Sequence, residues 1–121
     1  MRDERLYLQD IRDAAGSIEQ FLKHVSETDF LGSDLLQSAV IQKFLVIGEA
    51  ASKISEGVKF RNSDIQWKKI IGIRNILVHV YFAVNWGLIW KTVSDDIPVL
   101  KERITSILQS EYPESDNERV E

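Results

Sequence analysis

The chain has no cysteine, which removes disulfides, thiolate nucleophiles and cysteine-based metal sites and leaves the redox compartment open. Histidine is nearly as scarce, with only His24 and His79, so a transition metal has few ligands to draw on. The two prolines and six glycines form no glycine-rich phosphate loop, and neither a His/Glu helix pair for zinc nor an Asp-rich calcium loop is present. A Ser-His-Asp triad finds no support in spacing, and no cofactor is implied. No apolar run reaches the length of a membrane span, and Met-Arg-Asp-Glu-Arg opens an amphipathic pattern rather than a signal peptide. A cytoplasmic protein is the default expectation. Strand-type alternation and internal repeats are missing as well.

What remains is helical periodicity in a chain of 121 residues, long enough for one domain with a real core. A first helix is expected from about Asp3 to about Val25, because Tyr7, Ile11, Ala14, Ile18, Phe21 and Val25 repeat in steps of four and three. Residues 26–34 read as a loop, with Ser33 or Asp34 as N-cap of a second helix over about Leu35–Glu56. Its buried stripe is Leu36, Val40, Phe44, Ile47, Ala51 and Ile54, and Gly57 stands where a C-terminal glycine belongs. Ser63 and Gln66 have capping-box spacing, which starts a third helix at Asp64 with Trp67 packed near its beginning. Asn85 caps a fourth helix whose stripe runs from Trp86 to Ile107, kinked or split by Pro98. The expected fold is an all-α, four- to five-helix antiparallel bundle over residues 1–110, followed by an acidic tail at 111–121 that reads as disordered.

The net charge of −4 is deceptive, because residues 111–121 carry all of it and the body is neutral. Over residues 53–74, Lys53, Lys59, Arg61, Lys68, Lys69 and Arg74 face only Glu56 and Asp64. Such a segment either holds a polyanion, with Lys53, Lys68 and Lys69 as RNA-binding candidates, or is a solvated lysine-rich turn. Trp67, Trp86 and Trp90 can stack on bases, but their helical spacing suits a core or a dimer interface.

The densest chemistry lies in Ile73-Arg74-Asn75-Ile76-Leu77-Val78-His79-Val80-Tyr81-Phe82. On a helix, Ile70, Ile73, Ile76, Leu77 and Val80 form one apolar arc, while Asn75 and His79 share the opposite stripe, which places Arg74 and His79 off the packed side. Arg74 and His79 are separated by about 140° around the axis, wide for two side chains of one helix to grip one phosphate. Either the helix loosens near His79 or two chains contribute to one site. An imidazole can move protons near neutral pH, and a guanidinium can bind phosphate bidentately and stabilise charge building on it. Together they suit metal-free RNA cleavage by the neighbouring 2′-OH. The plain alternative is a solvent-facing Arg, Asn and His on an amphipathic helix, with Tyr81 a buried ring. His24 is read as a helix C-terminal residue without a functional role.

Arg74, four residues, His79, one residue and Tyr81, with Asn75 after the arginine, resemble the signature of the HEPN superfamily, specifically its HepT-like toxins. The resemblance extends over about residues 5–110, through Tyr7-Leu8-Gln9-Asp10-Ile11, Ile47-Gly48-Glu49-Ala50-Ala51, Trp67-Lys68-Lys69-Ile70 and Asn85-Trp86. Val80 and Asn85 depart from the pattern, standing where a polar or acidic residue and an Asp are common. The resemblance implies an all-α homodimer acting as a metal-independent endoribonuclease on tRNA or mRNA, the toxin of a toxin–antitoxin pair. It implies Arg74 and His79 as catalytic and Asn75 as supporting. It also implies Tyr81 as the acceptor of AMP from a partner minimal nucleotidyltransferase that acts as antitoxin. The rival reading is a non-catalytic helical subunit that binds nucleotide or docks a nucleotidyltransferase.

Overall fold

A computed structural model describes residues 2–79 and 83–113, with the side chains of Val78 and His79 outside that description. Among the described residues there are seven helices and no strand: α1 Glu4–Phe21, α2 Glu27–Leu31, α3 Asp34–Ser52, α4 Glu56–Arg61, α5 Trp67–His79, α6 Trp86–Asp95 and α7 Ile97–Glu111. None is long and apolar enough to cross a membrane. The all-α antiparallel bundle is as expected. Of the acidic tail expected at 111–121, residues 114–121 lie outside the described residues, and Glu111 is the last residue of α7.

Most helix starts follow from one polar side chain each. Asp3, Ser26, Ser33, Ser55 and Asn85 each accept a hydrogen bond from a backbone N–H two or three residues on, satisfying a donor the helix itself leaves unpaired. Ser26 explains why residues 26–34 are not simply a loop: its Oγ accepts from Asp29 N at 3.1 Å and starts α2. Ser63 does not act as a cap. Residues 62–66 turn instead, α5 begins at Trp67, and Asp64 is held by Arg103 of α7 at 2.7 Å. Trp67 is buried near the helix start as expected, its Nε1 donating to Asn62 O at 3.1 Å. Gly57 ends no helix: α3 stops at Ser52, and Gly57 sits in the first turn of α4. Pro98 splits the last helix at Asp96 and occupies the first turn of α7, where its missing N–H costs nothing. The first helix ends at Phe21, and His24 lies beyond it with φ 64°, a left-handed conformation that is uncommon outside glycine.

α1 packs on both α3 and α7, and α3 in turn carries α5 and α2. Ser55 N donates to Glu4 Oε1 at 2.5 Å, while Lys101 donates to Glu19 at 3.0 Å and Tyr112 OH to Glu4 Oε2 at 3.4 Å. The pairing of Glu19 with Lys101 and of Glu4 with Tyr112 makes α1 and α7 antiparallel. Leu8, Ile11, Ile18, Val40, Ile47, Ile104, Ile107 and Leu108 form the deepest core, each contributing about 1.5–3 kcal/mol by leaving water.

α2 is held by one ring and by Gln37 of α3, whose Nε2 donates to Phe30 O and Leu31 O, each at 3.1 Å. Phe30 is fully buried, with Trp86 edge-on at 6.1 Å and Trp90 at 5.5 Å, so these two tryptophans pack inward as Trp67 does. Phe30→Ala should cost about 3–5 kcal/mol, read from the urea midpoint at unchanged slope. A loss below 1 kcal/mol would mean that α2 is not anchored by this ring.

Candidate active site

α5 carries Trp-Lys-Lys-Ile-Ile-Gly-Ile-Arg-Asn-Ile-Leu-Val-His. Four isoleucines, a valine and a central glycine make it a weak helix by propensity, so packing on α3 must hold it. That packing is closest at Gly48. A Cβ built there would lie 2.6 Å from the Cβ of Arg74 and 3.4 Å from the carbonyl oxygen of Ile70. Only glycine lets the two backbones approach this closely.

This approach corrects the expected orientation of α5. The covered arc runs through Trp67, Ile70, Ile73, Arg74 and Leu77, rotated toward the arginine. Ile76, expected on the apolar arc, is 57% exposed. Arg74 therefore lies on the edge packed against α3 rather than off the packed side. Lys68 and Asn75 are exposed on the other face, where the helical register also puts Gly72 and His79.

The arginine meets a prepared partner set. Its Nη1 donates to Glu49 Oε2 at 2.5 Å and lies 3.4 Å from Ser52 Oγ. Ser52 Oγ donates in turn to Glu49 O at 2.6 Å, which leaves its lone pairs for the guanidinium. Lys53 Nζ approaches the other Glu49 oxygen at 4.0 Å. The Arg74 side chain is 28% and that of Glu49 57% exposed, so the pair contributes only about 0–1 kcal/mol to stability. Its main effect is to fix where the guanidinium points. Nε and Nη2 of Arg74 make no hydrogen bond among the described residues, which leaves the fork edge that suits a phosphate.

The remaining sequence candidates are dispersed. Asn75 is exposed, and its amide has no partner among the described residues. His79 is the last residue of α5, and its distance from Arg74 lies outside the described side chains. Tyr81 lies outside the described residues altogether. Lys69 is 3.6 Å from Asp96, Lys59 is 3.8 Å from Glu56 and Arg61 is 2.7 Å from Glu111. Arg61, Lys69 and Arg74 are thus paired with acids distant in sequence, and Lys53 and Lys59 with acids about one helical turn away. Lys68 alone of the three lysine candidates has no ion pair among the described residues. No group of three or more His, Asp or Glu side chains among the described residues is placed to hold a metal ion. A cavity of about 240 Å³ lies on the core side of α5 between Phe44, Ile47, Ile70, Ile73, Ile97 and Leu100, and Arg74 does not line it.

Two stretches that carried the resemblance meet in space. Tyr7 and Asp10 of α1 line a shallow groove with Glu49 and Ala50 of α3, next to the arginine. The family model described as ribonuclease HepT-like matches residues 11–107. The chain belongs to the HepT-like family. It is 33% identical over 103 residues to "Putative RNase MJ1380" of Methanocaldococcus jannaschii, covering 85% of this chain and 94% of that protein. It is 37% identical over 106 residues to "Probable ribonuclease HepT" of Thermococcus cleftensis, covering 88% and 96%. A 38% identical match over 108 residues to "Gamma-glutamylcyclotransferase and putative RNase MJ0434" of M. jannaschii covers 89% of this chain but 49% of that longer protein. No solved structure matches the chain.

For this HepT-like chain, sequence reasoning singled out Arg74 but missed the set that holds it. Gly48, Glu49 and Ser52 appeared only as part of a helical flank or not at all. The available signal was a glycine directly followed by a glutamate inside an apolar helix, opposite a helix bearing one arginine.

Proposed function

We propose that this HepT-like protein is an endoribonuclease that works without a metal ion, with Arg74 and His79 as catalytic residues and Asn75 supporting them. The observation that carries the proposal is a guanidinium clamped through Nη1 with its other edge uncommitted, five residues before a histidine in a family described as ribonuclease HepT-like. In the reaction, the RNA 2′-oxygen attacks the adjacent phosphorus and gives up its proton to a base. The 5′-oxygen leaves and takes a proton from an acid. The products are a 2′,3′-cyclic phosphate and a 5′-hydroxyl. Arg74 stabilises the charge that builds on the non-bridging oxygens, and His79 moves a proton.

Two proton transfers call for two groups, which a pair of protomers joined along α5 would supply. Gly72 supports this arrangement. A glycine in mid-helix costs about 0.5–1 kcal/mol relative to alanine, yet a Cβ at Gly72 would meet nothing within 4 Å in this chain. Exposed Ile76 lies one turn further on the same face. Ile76→Asp is expected to give a monomer by sedimentation equilibrium and to lose cleavage, with helicity retained. A stable dimer in that variant would reject α5 as the interface.

Lys68 is the best remaining lysine for RNA contact, with Lys53 and Lys69 already engaged by Glu49 and Asp96. The biological role that fits is a cytoplasmic toxin acting on tRNA or mRNA, silenced when a nucleotidyltransferase antitoxin attaches AMP to Tyr81. The added phosphodiester would put charge and bulk beside a pocket for RNA phosphate. Incubation of labelled RNA with purified protein in EDTA, with product ends analysed, tests the reaction. Cyclic phosphate ends support the enzyme. Binding without turnover supports instead a nucleotide-binding or nucleotidyltransferase-docking module.

A further inference from the structure

We propose that Glu49 is a positioning residue for Arg74, so that the site includes a carboxylate from α3 as well as the groups on α5. The inference rests on the ribonuclease reading above and adds a residue to it. The ion pair between Arg74 and Glu49 is too weak to serve mainly as a stabiliser of the fold. With both side chains partly exposed, it adds little to folding, yet the fold goes to some length to form it. Gly48 brings α3 against the Cβ of Arg74, and the residue directly after that glycine supplies the carboxylate. Ser52, one turn along α3, offers a second acceptor to the same Nη1 while its hydroxyl proton is committed to the Glu49 carbonyl.

A guanidinium has five N–H donors in a rigid plane, so fixing one nitrogen fixes the direction of the others. With Nη1 taken by Glu49 and Ser52, rotation of the plane is restricted and the Nε–Nη2 edge is held as a unit. That edge can donate two parallel hydrogen bonds to a phosphate without first being ordered by it. Lys53 beside the second Glu49 oxygen offsets the negative charge that would otherwise repel RNA. Glu49 itself never touches the substrate and acts only through Arg74.

The alternative role for the same carboxylate is a counter-ion that occupies Arg74 until RNA displaces it. The two roles predict opposite signs. A positioning residue lowers turnover when removed, whereas a competing counter-ion raises it.

The test compares the full-length wild type with Glu49→Ala, Glu49→Gln, Arg74→Ala and the Glu49→Ala/Arg74→Ala double variant, on labelled single-stranded RNA in EDTA. Misplacing a reacting group by about 1 Å costs on the order of 100-fold, so Glu49→Ala is expected to lose about 10- to 100-fold. The loss should fall in kcat with KM nearly unchanged, because the interaction is realised in the transition state. Glu49→Gln, which keeps an acceptor for Nη1, should recover most of the rate. In the Arg74→Ala background, Glu49→Ala should cost nothing further. Circular dichroism of each variant confirms the bundle is intact, and the isosteric Gln variant guards against a folding artefact. Faster or unchanged cleavage by Glu49→Ala overturns positioning. So does a loss confined to KM, a Gln variant as poor as Ala, or a full further loss in the Arg74→Ala background. Wild-type cleavage with an unaffected Glu49→Ala variant removes this inference alone, whereas a wild type that never cleaves RNA removes the ribonuclease reading and this inference with it.

Discussion

Alanine at position 79 is expected to lower RNA cleavage by about 10²–10⁴-fold, the usual range for removal of a general acid or base. Each tenfold loss corresponds to about 1.4 kcal/mol of transition-state stabilisation, so the expected change is several kcal/mol in rate with almost none in folding. The register of α5 sets the His79 position on the stripe that also holds exposed Lys68 and Asn75. Arg74→Ala should be comparably damaging, by about 10²–10³-fold, as for removal of a donor to developing negative charge. Its folding cost is limited to a partly exposed ion pair, about 0–1 kcal/mol. Arg74→Lys keeps the charge but loses the planar fork, and should fall between wild type and alanine. These losses are read in single-turnover assays in EDTA on protein shown to be folded by its thermal transition. A His79→Ala protein free of contaminating nuclease that cleaves at the wild-type rate would falsify the catalytic assignment.

The second large effect is expected at a residue that has no side chain. Gly48→Ala in an ordinary helix would be stabilising by about 0.5–1 kcal/mol. Here the new methyl carbon would stand 2.6 Å from the Cβ of Arg74, well inside van der Waals contact. Both atoms are fixed to their backbones, so neither side chain can rotate away and α5 must retreat from α3. Overpacking of this kind costs about 1–3 kcal/mol, and retreat would also carry the guanidinium off Glu49. Gly48→Ala should therefore lose stability and cleavage together. Chemical denaturation and the RNA assay measure the two losses on the same preparation. The clash is with a Cβ, so Arg74→Ala, which retains one, should not relieve it. Arg74→Gly should, and a thermodynamic cycle between positions 48 and 74 should show favourable coupling. A Gly48→Ala protein as stable as the wild type would show that the two helices tolerate a wider gap.

Much of the bundle could be read from the chain because its helices announce themselves locally. Ser33 and Asn85 cap where their spacing put them, and the seam from Tyr7 to Ile18 lies along the core. The misreadings occurred where a distant group competed for a local one. Asp64 binds Arg103, and residues 62–66 turn without the capping box expected at Ser63. In the basic segment, Lys69 and Arg61 likewise find Asp96 and Glu111 only after the chain folds. The orientation of α5 was misjudged for a related reason. Apolar periodicity gives a helix an apolar side, but the close approach at Gly48 decides which edge of that side is covered. Arg74 stands out by its spacing to His79, whereas its ion-pair partner Glu49 does not, because nothing within one helix indicates which residue of another will reach it.

The packing of α1 on both a near and a distant helix bears on how the protein folds as it is synthesised. α1 packs on α3, which follows it closely in the chain, and on α7, which follows much later. Until Ile97–Glu111 has left the ribosome, part of the surface around Leu8, Ile11 and Ile18 stays open to water or to other nascent chains. The bundle then holds a half-finished core until α7 is made, a state prone to aggregation or chaperone capture, and closure waits on that fifteen-residue helix.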